Sequence, residues 1–212
     1  MSVGDPIVLG GQVEFDQITA ASEARDDAEF IERLRAGEAA AFDKLVAEHA
    51  NEIYALLYRL VEDAEEARDL TQETFLQAYR AISAFRRESS LRTWLYRIAI
   101  NQARNRHRWW RCRGRDETVS LDSINGFNEA RASLNPNDNP EQVALAHERE
   151  RALRNALHAL NQRFREVIIL RDIEGLSYEE IAAALGISVG TVKSRLARGR
   201  LELRRRLEGS FS

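Results

Sequence analysis

At 212 residues and a net charge of -3, the chain has room for one or two domains with modest cores. One cysteine, Cys112, excludes an internal disulfide. With no signal-peptide pattern over residues 1–11 and no apolar run near ~20 residues, the reading is a soluble, cytoplasmic protein. The charge is sorted along the chain: residues 1–85 carry 18 acids and 7 bases, residues 86–115 carry ten arginines against Glu88, and residues 191–206 carry seven bases against Glu202. Two basic islands in an acidic chain predict two separate contacts with a polyanion, and an acidic first third suits a basic protein surface.

Residues 1–25 read as a poorly ordered extension. A short amphipathic helix from Asp26 to Arg35 ends at Gly37. Ala39 to Val61 follows, with Phe42, Leu45, Val46, Ile53, Leu56, Leu57 and Leu60 at helical spacing. In a third helix, Asp63 to Ile82, Leu70, Phe75, Tyr79 and Ile82 are expected inward. Its Asp69, Gln72, Glu73 and Leu76 form one stripe at i, i+3, i+4, i+7, for which a solvated surface is the usual explanation. Ser83 to Ser90 is a loop. The fourth helix, Leu91 to about Cys112, turns Leu91, Trp94, Leu95 and Ile98 to one face. Arg97, Asn101, Arg104 and Arg108 share another stripe that could track a phosphate backbone. Tyr96 points away from the apolar stripe and is expected at nucleic acid. Trp94 fits either the core or the polyanion side, and Trp109 and Trp110 fit either a stacking surface or packing on the linker.

Between Arg113 and Pro140 the composition shifts to Gly, Asn, Ser and Asp, as in a linker, although Leu121, Ile124 and Phe127 could form a docked turn. Helices are expected from Glu141 to Ala159 and from Gln162 to Glu174, the latter ended by Gly175. Ser177 and Glu180 then form a capping box, Ile181 and Leu185 an inward stripe, and Gly186 a left-handed turn. Ser188 caps a last helix with Val192 and Leu196 inward and Thr191, Ser194, Arg195 and Arg198 outward. This is a helix-turn-helix whose second helix suits the major groove. Gly199 costs ~1 kcal/mol inside that helix and could bend it. No segment alternates with period two and no repeat is present. The fold class is all-α: two small domains, 26–112 and 141–212, on a flexible tether over 113–140.

The pattern Asp69-Leu-Thr-Gln72-Glu73-Thr-Phe75, followed by Phe85-Arg86, Ser90, Thr93-Trp94-Leu-Tyr96-Arg97 and Asn101, resembles region 2 of bacterial sigma factors. Leu176 to Arg198 resembles their region 4. The short form is similar to the extracytoplasmic-function (ECF) group of the sigma-70 family. The resemblance implies that Asp69, Gln72, Glu73 and Leu76 dock on the clamp-bearing large subunit of core RNA polymerase. It implies that Phe85, Arg86, Ser89, Ser90, Tyr96, Arg97, Asn101, Arg104 and Arg108 capture the melted -10 strand of promoter DNA. Ser188, Thr191, Lys193, Ser194, Arg195 and Arg198 would read the -35 duplex, with Arg200 and Arg204–Arg206 as backbone clamps. An anti-sigma factor, often membrane-anchored, is implied as regulator, and the inter-domain hinge permits a closed, sequestered arrangement.

Catalysis is not expected. His49, His107, His147 and His158 lie far apart, no ligand spacing for a metal and no phosphate loop or nucleophile turn occurs, and no cofactor is implied. Cys112 reads as a plain surface thiol or, between Arg111 and Arg113, as a redox sensor. The rivals to an initiation subunit are a stand-alone helix-turn-helix regulator, which would bind duplex tightly without polymerase, and a purely structural helical adaptor, which the arginine islands disfavour. The 28-residue tether spans ~30 Å as a random coil, against ~70 Å for two turns of DNA. Polymerase is therefore expected to stretch it, and the free chain to bind a bipartite promoter weakly.

Overall fold

The computed structural model describes residues 27–112 and 140–210, among which there is no β-strand. Helix α1 covers residues 27–35. It is followed by α2 (Ala39–Val61), α3 (Ala64–Ala81), a 3-10 turn (Ile82–Ala84) and α4 (Leu91–Cys112). The second half contains α5 (Pro140–His158), α6 (Gln162–Ile168) continuing into a π-helical turn (Ile169–Ile173), α7 (Tyr178–Leu185) and α8 (Val189–Ser210). The expected N-terminal extension and residues 113–139 of the tether lie outside the described residues.

In the first half α2, α3 and α4 pack on one another around Leu45, Ile53, Leu56, Leu57, Leu70, Leu95 and Ile100. The joints follow from local chemistry. Gly37 adopts φ 75°, the left-handed conformation that a glycine accepts without steric cost. Asp63 caps α3 by accepting the Glu66 backbone N–H at 2.7 Å. Two residues expected inside are not. Val46 is 38% exposed and Tyr79 55%. Tyr79 lies one turn beyond Leu76, itself exposed, so both belong to the outer face while Ala78 takes the inward position. The Tyr79 ring instead meets Phe42 edge-on at 4.7 Å, covering the core from outside.

In the second half α6 and α7 pack on α8. Val167, Ile168, Ile169 and Leu170 are all buried. Four consecutive apolar residues exceed the stripe that one face of a regular α-helix offers, so this stretch is covered on several sides. The wider π turn sits at its end, with Glu174 N–H reaching the Ile169 carbonyl at 2.9 Å.

Helix α8 is not broken at Gly199 but runs on from Val189 to Ser210. The glycine serves packing instead. A Cβ there would come within 3.0 Å of Ile168 Cδ1 and 3.1 Å of Phe164 Cβ. Its loss of helix propensity is thus exchanged for close approach of α6 and α8. Gly199→Val is expected to destabilise the protein by about 1–3 kcal/mol in thermal or urea unfolding. Gly190→Ala, where no atom lies nearer than 3.9 Å, should be neutral or stabilising by up to ~1 kcal/mol.

Candidate nucleic-acid interface

The helix-turn-helix is built by reciprocal caps. Ser177 Oγ accepts the Glu180 N–H at 3.1 Å, and the Glu180 carboxylate accepts the Ser177 N–H at 2.8 Å. These bonds hold the Glu180 carboxyl below the ordinary carboxylate range. Gly186 turns the chain at φ 65°, and Ser188 Oγ accepts the Thr191 N–H at 3.2 Å to start α8. Val192 and Leu196 are buried, which fixes the helix rotation. That rotation leaves Lys193, Ser194 and Arg198 exposed and Thr191 and Arg195 half-buried on the outer side. Arg200 is turned elsewhere: it forms a two-pronged ion pair with Asp172 of the π turn, its Nε 3.0 Å from Oδ2. Arg200 remains exposed beside this pair. Arg204 and Arg206 pair along α8 with Glu208 and Glu202.

In the first half, Ser90 caps α4 by accepting the Thr93 N–H at 3.1 Å. Arg86, Arg97, Asn101 and Arg108 are exposed, and Ser89 is half-buried. Phe85 is not an open loop residue: it is 3% exposed and tilts against buried Trp94, with ring centroids 5.1 Å apart. Its carbonyl accepts from Arg35 Nη2 at 2.5 Å, which ties the loop to α1.

Tyr96 departs furthest from the expected exposure. It points away from the apolar stripe of its own half, as expected, yet it is fully buried because the second half covers it. Its hydroxyl donates to Glu174 at 2.9 Å and accepts from Arg92 at 2.9 Å. Burial first, and the Glu174 charge second, push the phenol far above its ordinary value. Arg104 is also occupied. It forms a two-pronged pair with Glu166 at 2.8 and 2.6 Å, and that hydrogen bonding raises its pKa. Glu166 is only 3% exposed.

These contacts join the halves. Arg59 meets Glu174 at 2.5 Å, Thr93 donates to Glu180 at 3.4 Å, and Arg165 donates to the Leu60 carbonyl at 3.2 Å. Helix α4 lies against α7. Beside the junction an open groove of about 540 Å³ is lined by Arg104, Arg108, Arg163, Arg165 and Arg195, with Glu166 as its only carboxylate among the described residues. The groove thus brings candidate contacts from both basic islands together. Sequence reasoning missed Glu166, Glu174, Arg59 and Arg92. The available signal was Glu166 itself, a carboxylate set against an apolar run, which has to be paired if buried.

On the far side of the first half, Asp69, Gln72, Glu73 and Leu76 are exposed together on α3. Arg106 of α4 reaches Glu73 at 3.5 Å and Glu66 at 3.7 Å. Among the described residues no group of three or more His, Cys, Asp or Glu side chains is placed to hold a metal ion, and no helix is long and apolar enough to cross a membrane.

Comparison with known proteins identifies the family of both halves. Residues 45–112 match the family model for sigma-70 region 2 and residues 150–203 that for sigma-70, region 4. The RNA polymerase sigma-H factor of Pseudomonas aeruginosa is 41% identical over 177 residues, covering 82% of this chain and 90% of the relative. The ECF RNA polymerase sigma-E factor of Haemophilus influenzae is 37% identical, covering 84% and 94%. Among solved structures, the sigma factor RpoE of Bartonella quintana in complex with the anti-sigma factor NepR superposes with a TM-score of 0.60 at 28% identity, covering 79% of this chain and 96% of that one. CnrH in complex with the cytosolic domain of CnrY gives 0.58 at 28% identity, covering 86% and 97%.

The caps give a direct test of the turn geometry. Ser177→Ala should cost about 1 kcal/mol of stability at neutral pH. Because the folded-state pKa of Glu180 lies below its unfolded value of 4.5, its contribution is present above that value and lost as pH falls through the folded pKa. The gap between wild type and variant in thermal unfolding should therefore narrow in acid.

Proposed function

From its membership of the sigma-70 family of bacterial RNA polymerase sigma factors, in the ECF group, we propose how this chain divides its work between its two halves. As a sigma factor it binds core polymerase and directs initiation at specific promoters, and its group is regulated by anti-sigma factors. The exposed α3 face of Asp69, Gln72, Glu73 and Leu76 docks on the clamp-bearing large subunit. Its acidity favours a basic protein surface and repels DNA. The outer face of α8, with Thr191, Lys193, Ser194, Arg195 and Arg198 after the Ser188 cap, reads the -35 duplex. Arg86, Ser89, Ser90, Arg97, Asn101 and Arg108 hold the -10 strand, and Tyr96 and Arg104 join them once uncovered. Phe85 supports this surface from beneath rather than forming an open pocket.

The observation that carries this reading is the opposite charge of two neighbouring helices. Helix α3 exposes Asp69 and Glu73 while α4 exposes Arg97, Asn101 and Arg108, so one small domain presents a protein-binding and a strand-binding side. The chain acts in the cytoplasm and as a binding subunit rather than as an enzyme. Its regulator is an anti-sigma factor that covers the polymerase-binding or DNA-binding faces.

Reconstituted transcription with core polymerase and genomic fragments tests the proposal. New, discrete start sites should appear with this chain. They should fade in Gln72→Ala, through weaker core binding, and in Arg198→Ala, through a loss of about 1–3 kcal/mol in duplex recognition. No new transcripts, together with tight duplex binding by the chain alone, would point to a stand-alone regulator instead.

A further inference from the structure

We propose that the α6–π segment of the second half is an intramolecular occupant of the strand-binding face of α4, with Glu166 and Glu174 standing where DNA phosphates would sit. The DNA side of this inference rests on the function proposed above; the latch itself rests on geometry alone.

The arginine fork binds a carboxylate and a phosphate in the same two-pronged manner. Arg104 already makes both prongs to Glu166, at 2.8 and 2.6 Å. Glu174 engages three groups of the first half: Arg59 at 2.5 Å, the Tyr96 hydroxyl at 2.9 Å and Arg92 at 3.8 Å. Both carboxylates are almost withdrawn from solvent, with side chains 3% and 9% exposed. Charges so desolvated are tolerable only while paired, so they hold the halves together. Two of the groups assigned to strand capture, Tyr96 and Arg104, are thereby unavailable. Arg97, Asn101 and Arg108 remain exposed on the same helix, so a strand can make first contact before the latch opens.

The free chain therefore rests closed, and strand affinity is reduced by the fraction of molecules that are open. A minor open population below about 10% implies that releasing the latch raises affinity roughly tenfold or more. No second protein is needed for this restraint. Polymerase or DNA must separate the halves.

The experiment uses the full chain with Glu166→Gln and Glu174→Gln together, checked for helix content by circular dichroism. Small-angle scattering should show a larger radius of gyration than wild type. Binding of a 20-nucleotide oligothymidine, followed by fluorescence anisotropy, should tighten by about tenfold or more. Glu29→Gln with Glu48→Gln removes the same charge from exposed positions and should change neither the radius nor the affinity beyond a small electrostatic increment. If the double latch variant does not fold, Arg59→Gln with Arg92→Gln breaks the Glu174 contacts from the other side and carries the same expectation for the radius. An unchanged radius of gyration overturns the latch. A larger radius without tighter oligothymidine binding leaves the latch standing and overturns its role in masking a strand-binding face.

Discussion

A buried carboxylate has no stable existence alone, and Glu166 is nearly wholly buried. Its burial is compatible with folding only because the Arg104 guanidinium supplies two matched donors from the other half of the chain. The arrangement of the halves follows from this requirement and from its neighbour at Glu174. The π turn places Glu174 against Arg59, Arg92 and Tyr96 while Asp172 of the same turn takes Arg200. One irregular turn of backbone thus directs acid toward the first half and tethers α8 at the same time. Buried pairs of this kind are weak sources of net stability, because desolvation cancels much of the attraction. They are strong sources of specificity, since any other docking would strand the charge.

Much of the fold is legible in the sequence because it is determined locally. The bounds of α2, the Ser177–Glu180 box and the Gly186 turn each follow from neighbouring residues and need no knowledge of the rest of the molecule. Tyr79 and Val46 show where local reasoning stops. Helical periodicity ranks faces by hydrophobicity, but a small residue such as Ala78 can occupy the inner position and leave a large one outside. Gly199 shows the same limit from the other side. Propensity charges a cost to that residue, and only the presence of Phe164 and Ile168 on a different helix explains why the cost is carried.

The site is less legible than the fold. The charge islands single out α4 and α8, since clustered arginine is informative whatever the tertiary structure. The partners of those arginines are not legible, because Arg104 and Glu166 are separated by 62 residues. Tyr96 illustrates the difficulty in one residue. Its orientation relative to the first half is as periodicity predicts, and its environment is the opposite, because another part of the chain lies there. Family membership settles the class of work the chain does. It leaves to the structure which side chains are free to do it at a given moment.

The close fit of α8 against α6 at Gly199 gives that helix two faces with different freedoms. The glycine and the inward Val192 and Leu196 lock its rotation and axial position against the domain core. Lys193, Ser194 and Arg198 are exposed and contribute little to that lock, and exchanges at such sites usually change stability by no more than about 0.5 kcal/mol. On the function proposed above, the vocabulary of bases that this helix would address is therefore open to drift and to engineering. New side chains at these positions would be presented to DNA from an unchanged platform, so a change of promoter preference need not pass through a poorly folded intermediate.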